Sequence, residues 1–591
     1  MNPGQIKTVL IDGYLDEPSC LGVPPYVSPH IRYIYGSLID GGIKRTNIEY
    51  LTADDYRREK EQNLASLAAK DLVVIMAGTT VPGNYLEGRP LSLTEIKEIS
   101  EKITYPTLVL TGPITLVWKN LPNSKEISKN LDIITSEVGA VELYLRLCQQ
   151  GKKKREIAAD RLRAAYKFKA KQSDLSLEKL KNQSNVIASA LSKWALTGAE
   201  IFSRHPKFPK LIAEIETCRG CPRIKGCKFC SEQLKNIKYQ RKPESIIKEV
   251  RAIAEKNIHN FRLGCQTDLL SYTGELELQN TEMNGQNSLL NKNSTALEYL
   301  YKGIRAVDPE LKVLHLDNIN PGLLGRNKKL GEKSIEIISR YNTPGDVAAF
   351  GLESADPEVL KANNIDTSPQ ETFEAIKLIN KIGARREKGI PKLLPGLNFL
   401  VGLQGENSAT YKLNLKYLEK IKNAGLLLRR INIRQVNTLG SYPGLEVKRS
   451  SLKELKKEVN EKINRPMLRK VFPQGTILDN IWPSKIKGGL TYGRPPGTYP
   501  ILIGIPGQHL DKEIMEVQVI DHGYRSITGL PHPFAINKAN IKELTYIPGI
   551  GESRARRIVL EKPQNQQELK EVLGPSFPWE NLEPLNLDFS N

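Results

Sequence analysis

Apolar residues in the first quarter of the chain come in short runs separated by amphipathic stretches. KTVLIDG (7–13) is an apolar run closed by Asp-Gly, and IRYIYGSLIDGG (31–42) has helical spacing before a glycine pair. NIEYLTA (47–53), DLVVIMAG (71–78), TLVLTG (107–112) and LDIITSE (131–137) are further strand candidates. Short apolar strands alternating with helices predict a parallel sheet covered on both faces, a doubly wound domain over residues 1–150. Ligands of such sheets bind at the carboxyl ends of the strands. Asp12-Gly13, Gly78-Thr79-Thr80 and Gly112-Pro113 stand at those ends.

The pattern then changes. Residues 151–209 are polar and basic, opening with Gly151 and the run Lys152–Arg155, with Leu, Ala and aromatic residues at helical spacing. They read as a helical connector packed on a neighbour, or as a nucleic-acid-binding face. A second alternation fills 210–440, with strand candidates LIAEIET (211–217), NFRLG (260–264), KVLHLDN (312–318), VAAFGLES (347–354), LNFLVGL (397–403) and INIRQV (431–436). PESIIKEVRAIAEKN (243–257) and PQETFEAIKLINKIG (369–383) are amphipathic helices between them. Six βα repeats predict a partial or closed βα barrel, with its active site at the C-terminal strand ends. The polar, Asn-rich stretch 273–293 after the second strand is expected to be a disordered surface insertion or a substrate lid. Residues 441–530 hold a helical linker and Gly/Pro-punctuated β segments that predict a small β barrel or sandwich, and 531–591 return to helix.

The chain has 591 residues, enough for three or four domains, and 39% of them are hydrophobic. No run is long enough to span a membrane, and the start lacks the features of a signal peptide, so a cytoplasmic protein without a membrane partner is expected. The net charge of +20 suits a polyanionic partner, although a Lys-rich proteome would produce the same number.

Seven cysteines occur, and four of them, Cys218, Cys221, Cys227 and Cys230, form C-x2-C-x5-C-x2-C. An odd, clustered set argues against a disulfide framework and for metal ligation or a catalytic thiol. Close-set thiolates suit both zinc and iron–sulfur. Paired CxxC zinc sites usually carry a longer arm, of roughly 15–20 residues. The cluster directly follows the first barrel strand, where barrel chemistry takes place.

ETCRGCPRIKGCKFC resembles the cluster loop of the radical S-adenosylmethionine (SAM) superfamily, whose usual pattern is C-x3-C-x2-C with an aromatic residue before the last cysteine. Cys221, Cys227 and Cys230 with Phe229 match that layout, with a first gap two residues longer, and Cys218 falls outside the triad. FRLGCQTD (261–268) takes the place of the Gly-rich motif after strand two, without its acidic residue, and implies Gly264. AAFGLESADPEVLKANN resembles the strand-four segment that contacts SAM and implies Glu353 and Ser354. GLNFLVGLQGE (396–406) resembles the strand-five segment near adenine and implies Asn398 and Gly402. The whole chain is similar to a largely archaeal radical SAM group with a C-terminal helix-hairpin-helix. The resemblance implies a [4Fe–4S] cluster on three cysteines, SAM on the open iron, and reductive cleavage to a 5′-deoxyadenosyl radical. It also implies an electron donor such as ferredoxin or flavodoxin.

The first domain resembles the cobalamin-binding module that precedes many such barrels. No D-x-H-x-x-G match is present, and His30 reads as a surface or capping residue. Either cobalamin binds without a histidine ligand or the domain has another role. A methylthiotransferase needs three more N-terminal cysteines, and only Cys20 and Cys148 precede the loop.

Leu544–Ile558 resembles a helix-hairpin-helix with Gly549 and Gly551 in the hairpin and Arg554, Arg556 and Arg557 beside it. That resemblance implies contacts to nucleic-acid phosphates through backbone N–H groups. The first expectation is thus a radical SAM enzyme acting on nucleic acid, RNA rather than DNA, at a tRNA base. A radical SAM enzyme on a small molecule or peptide, and a non-enzymatic zinc or iron–sulfur nucleic-acid-binding protein, are the alternatives.

Overall fold

A computed structural model describes residues 3–17, 20–78, 88–134, 139–149, 162, 177–223, 225–235, 237–275, 283–436 and 442–590. The first domain holds the expected parallel sheet. Thr8–Asp12 lies between Ile48–Thr52 and Leu72–Met76, followed outward by Thr107–Thr111 and Asp132–Ile133. This is the flavodoxin-like doubly wound order. Alternation along the strands feeds two cores. Leu10, Val74 and Val109 face one, while Val9, Ile11, Val73, Ile75, Leu108 and Leu110 face the other.

The expected first helix is Pro29–Asp40. Ser28 caps it by accepting from His30 N, and Pro29 at the first position is pre-set for helix. It crosses Leu177–Gly198 at backbone contact. A Cβ on Gly36 would stand 2.3 Å from the Trp194 carbonyl oxygen, and one on Gly198 2.3 Å from that of Arg32. Ile187, Leu191, Trp194 and Ala195 bury the second helix in the same core. The described part of 151–209 therefore packs, as the first of its two readings expects. Its basic run 152–155 lies outside the described residues.

All six barrel candidates are strands: Ile212–Glu216, Asn260–Gly264, Val313–Leu316, Asp346–Glu353, Leu393–Val401 and Arg430–Gln435. The first three pair in parallel, the last three do likewise, and an Asn318–Ala349 bridge joins the groups. No described pairing joins the first strand to the last, so the barrel is partial. Tyr26–Val27 of the N-terminal domain covers the first edge, parallel to Ile212 and Ala213.

The segment 273–293 differs from expectation. Met283–Val307 is one 25-residue helix crossing between the second and third strands. Its Asn-rich look hides a core position, because Asn293 is buried and its amide donates to the carbonyls of Leu269 and Tyr272. The remaining stretch 276–282 lies outside the described residues.

Helices Arg449–Val459 and Arg465–Val471, joined by a wide turn at Asn460–Asn464, lead into the small β module. This is a closed five-stranded barrel in the order first, second, third, fifth, fourth, with the third and fifth parallel. The topology is OB-like. Its loop between the second and third strands enters the βα arc. There Thr498 N donates to His315 Nδ1 at 2.9 Å, Thr498 Oγ1 donates to the Leu316 carbonyl at 2.8 Å, and the Tyr26 hydroxyl donates to the Gly497 carbonyl. At the C-terminus, Ile541–Leu544 and Glu552–Glu561 flank the turn containing Pro548–Gly551 and pack through Leu544, Ile547, Ile550, Ala555 and Ile558. No described helix is long and apolar enough to cross a membrane.

One charged network ties the first domain to the barrel. Arg32 of the first helix bonds Glu249 and the Glu214 carbonyl, and Arg241 reaches the other Glu249 oxygen at 2.5 Å. The side chains of Arg32, Glu249 and Arg241 are fully buried. Glu249→Gln removes the carboxylate shared by two buried guanidiniums and should cost about 3–5 kcal/mol. The outcome is a thermal midpoint lowered by several degrees. Asp479→Asn, at the exposed Lys388–Asp479 pair, should cost less than about 1 kcal/mol in the same melting experiment.

Candidate functional site

The loop after the first barrel strand is pinned at its base. Cys218–Arg219 pairs antiparallel with Tyr239–Gln240, and Arg241 N donates to the Thr217 carbonyl at 2.9 Å. This ribbon buries Cys218. Beyond it, Cys221, Cys227 and Cys230 are half-buried and line one cavity together with Phe229. The cavity measures about 1260 Å³. Cys218 is absent from its walls.

The five-residue gap between Cys221 and Cys227 has a structural reason. It reaches across the barrel mouth to Asn363 and Asn364, at the end of the short helix Pro357–Ala362 that follows the fourth strand. Asn364 donates from its amide to the carbonyls of Lys225 and Gly226, Lys228 N donates to the Asn363 carbonyl, and Arg223 donates to the Asn364 carbonyl. Arg223 Nη1 also lies 3.4 Å from Cys227 Sγ. Phe229 meets Tyr442 edge-on at 6.2 Å, and Tyr442 bonds Asn363.

Burial raises all three cavity thiols, Cys227 to about 11, so by themselves they stay protonated. A bound cation is what turns such thiols into thiolates. Three convergent thiols facing open space fit a cluster held by three protein ligands.

The remaining residues implied for SAM separate into two groups. Glu353 and Asn398 line the cavity. Glu353 sits at a register shift ending the fourth strand, with φ +65°, and burial pushes its carboxyl up to about 8. A non-glycine residue in the left-handed region is the kind of strain that gathers at ligand sites. Asn398 Oδ1 accepts from Asn432 at 2.9 Å. Gly264, Ser354 and Gly402 do not reach the walls. A Cβ on Gly264 would stand 2.2 Å from Glu214 Oε1, so this glycine clears room for the buried Glu214–Arg262 pair. Ser354 Oγ accepts from Asp356 N at 3.2 Å. Gly402 turns at φ +87° and donates to Glu406 at 2.8 Å.

The N-terminal sheet contributes through its strand ends. Asp16, Glu17 and Leu21 follow its first strand, Pro113, Leu116 and Val117 follow its fourth, and all six line the same cavity. No histidine lies among the described lining residues, and 79–87, after the third strand, lie outside the description. His30 is half-buried and is not the cap: Ser28 caps the helix, and the His30 ring lies 3.2 Å from Arg219 Nη2. Burial and then the Arg219 charge hold its imidazole well below the ordinary range.

Sequence reasoning passed over the far wall. Arg430, Asn432 and Arg434 of the last strand, Tyr499 of the entering loop, and Arg525 and Lys456 line the cavity. The strand INIRQV and its preceding arginines were visible, but only the fold brings Arg525 beside them.

A partial βα barrel with three thiols at the end of its first strand, under the carboxyl edge of a doubly wound sheet, is the architecture of an enzyme that holds a cluster with one open iron. Residues 215–418 match the Radical SAM superfamily. An uncharacterized protein of Archaeoglobus fulgidus is 36% identical over 580 residues, 96% of this chain and 98% of its own length. An uncharacterized protein of Methanocaldococcus jannaschii is 35% identical over 543 residues, 88% of this chain and 93% of its own. Among solved structures, the radical SAM methyltransferase TsrM from Kitasatospora setae aligns at a TM-score of 0.44 and 15% identity, covering 72% of each chain. The cobalamin-dependent SAM radical enzyme OxsB aligns at 0.45 and 13% identity, over 79% of this chain and 56% of that one. The chain belongs to the radical SAM superfamily, in a family shared with these archaeal proteins, and is a radical SAM enzyme.

The three-ligand arrangement makes a sharp expectation. Cys218→Ser should keep the iron content and brown absorbance of anaerobically reconstituted protein, while Cys221→Ala, Cys227→Ala and Cys230→Ala should each lose them. Loss of iron in the Cys218 variant, with its fold intact by circular dichroism, would show a four-thiol site instead.

Proposed function

We propose that the chain cleaves SAM reductively at a [4Fe–4S] cluster held by Cys221, Cys227 and Cys230 and uses the resulting radical to modify a nucleic acid, a tRNA base being the expected target. The observation that carries the chemistry is the convergence of those thiols, Glu353 and Asn398 on one cavity at the C-terminal strand ends. Held by these three cysteines, the cluster would supply the electron for reductive cleavage of SAM to methionine and a 5′-deoxyadenosyl radical able to take a hydrogen atom from the substrate. The electron would come from a low-potential donor such as ferredoxin or flavodoxin. The chain's own work is positioning. The Asn363–Asn364 turn holds the cluster loop, Asn432 orients the Asn398 amide, and the N-terminal strand ends help shield the mouth from water.

Three features support the nucleic-acid target. The net charge is +20. An OB-like barrel borders the cavity through Arg494, Tyr524 and Arg525. The C-terminal turn leaves a Cβ on Gly551 with nothing within 4 Å, and Gly549 adopts φ +89°. A turn this open suits approach of a phosphate to backbone N–H groups. The arginines beside it divide. Arg554 is committed inward, to the carbonyls of Gly549 and Leu573 and to Ser576. Arg556 and Arg557 lie on the exposed face but are paired with Glu552 and Glu561. The backbone turn, with Arg556 and Arg557 rather than Arg554, is the phosphate contact of this reading.

A corrinoid in the first domain would lie where Asp16, Glu17, Pro113, Leu116 and Val117 face the cavity, without a described histidine as ligand.

Reconstituted protein with reductant and SAM should form 5′-deoxyadenosine and bind unmodified tRNA with an affinity that falls steeply as salt rises. Absent or salt-insensitive binding would remove the nucleic-acid target and leave a radical SAM enzyme on a small molecule or peptide. Comparing the modified nucleosides of RNA from cells with and without the gene identifies the base.

A further inference from the structure

The cavity is chemically lopsided. Its thiols come from the first barrel strand, whereas the last strand, at the other edge of the arc, brings a concentration of positive charge. Alternation places Arg430, Asn432 and Arg434 on one face of that strand, and all three line the cavity. Arg525 joins them from the turn before the last strand of the small barrel, and Lys456 from the helix preceding that barrel. Arg430 Nε donates to Asn432 Oδ1 at 2.7 Å, and Arg525 Nη2 lies 3.5 Å from the same oxygen. The acceptor between these two guanidiniums is thus a neutral amide. Arg430 also stacks over Tyr499 at 4.2 Å, and Arg429 donates to the Tyr499 carbonyl at 3.1 Å.

The carboxylates of the cavity do not balance this charge. Of the carboxylates lining the cavity, Asp366 pairs with Arg326 and Glu232 with Lys235, while Asp268 accepts from the Ser271 hydroxyl and the backbone N–H groups of Leu270 and Asn320. Asp16 and Glu17 stand on the wall that the N-terminal sheet supplies, and Asp317, outside the lining, pairs with Arg262. Glu353 feels Arg434 but makes no ion pair with it among the described residues. Arg430, Arg525 and Lys456 have no described carboxylate in ion-pair contact; burial first, and then neighbouring positive charge, lowers Arg430 (Arg525 and Arg434) and Lys456 (Arg525). The Tyr499 and Tyr26 hydroxyls are the other polar groups facing Arg430. Clustered like charges in a partly desolvated wall are costly unless an anion completes them. Guanidinium forks match phosphate oxygens, two bonds at a time.

We propose that Arg430, Arg434 and Arg525, with Lys456 at the rim, form a phosphate-binding wall inside the reaction cavity, and that the substrate enters as a phosphate-bearing molecule. The inference rests on the reading of this cavity as the reaction chamber. It moves the decisive phosphate contact from the C-terminal turn to the chamber itself. A phosphodiester of RNA and the phosphate of a free nucleotide share the chemistry, and the experiment separates them.

The test uses reconstituted holoenzyme and two probes, inorganic pyrophosphate and a short single-stranded RNA oligonucleotide, with SAM affinity measured in parallel. Arg525→Gln, Lys456→Gln and Arg430→Gln should each weaken pyrophosphate binding about tenfold or more, the size expected for a lost charge-assisted hydrogen bond. SAM affinity should move less than the probe's, and Arg525→Lys should recover part of the loss. Lys453→Gln, an exposed lysine on the same helix as Lys456 and outside the cavity walls, controls for general charge. Unchanged melting temperatures exclude misfolding.

Wild-type protein that binds pyrophosphate but not the oligonucleotide supports the wall and removes the nucleic-acid target. An oligonucleotide bound equally well by the wild type and all three variants keeps that target and overturns the wall. A fall in SAM affinity with pyrophosphate unaffected also overturns it, and assigns these arginines to the SAM carboxylate instead.

Discussion

The geometry of the site depends on one buried charge, the Glu249 carboxylate, held between Arg32 and Arg241. Arg32 belongs to the first helix of the doubly wound domain, and Glu249 and Arg241 to the barrel. Two guanidiniums out of water are tolerable only with that carboxylate between them. Because the bonds are directional, they fix rotation as well as distance. The parallel pairing of Tyr26–Val27 with the first barrel strand follows from the same docking. With the sheet so oriented, the ends of its first and fourth strands face the thiols. Glu214 extends the arrangement inward, with its carbonyl on Arg32 and its carboxylate on Arg262.

Much of this architecture was legible in the chain, and the reason is local. Runs such as LVVIM and TLVLT are buried on both faces, so they read as strands without knowledge of their neighbours. The six barrel strands emerged for the same reason. The segment 273–293 misled because polar residues can serve a core. Asn293 is buried and bonded to two carbonyls, a role invisible to a count of apolar positions. His30 misled in a similar way. Its place at a helix start suggested a surface or capping residue, yet its ring meets Arg219, which lies 189 residues away.

The site shows the same division. Spacing and place marked the cysteine cluster, the likeness to the radical SAM loop singled out Cys221, Cys227 and Cys230, and the structure brings those three to one cavity and adds the reason for the long gap. Asn363 and Asn364, at the far side of the mouth, anchor the intervening residues. Ser354 follows the cavity residue Glu353, and Gly264 and Gly402 lie two residues past Arg262 and Leu400, yet none of the three lines the cavity: Gly264 packs against Glu214, and Gly402 turns the chain towards Glu406. A motif locates a strand end; which of its residues meets a ligand depends on register.

The arginines bring these points together. In sequence they are alike, scattered through a basic chain. In three dimensions they form two populations. Arg32, Arg219, Arg241 and Arg262 each face a carboxylate and serve the fold. Arg430 and Arg525 face an amide oxygen and each other. Both arrangements keep guanidiniums partly or wholly out of water, so the difference lies in what balances them. The first population is balanced within the chain. The second has no carboxylate in ion-pair contact among the described residues, borders the cavity that Cys221, Cys227 and Cys230 line, and includes a residue from the small barrel. That barrel's position, with a loop inserted in the arc, brings Arg525 to the cavity wall beside Arg430 and Asn432.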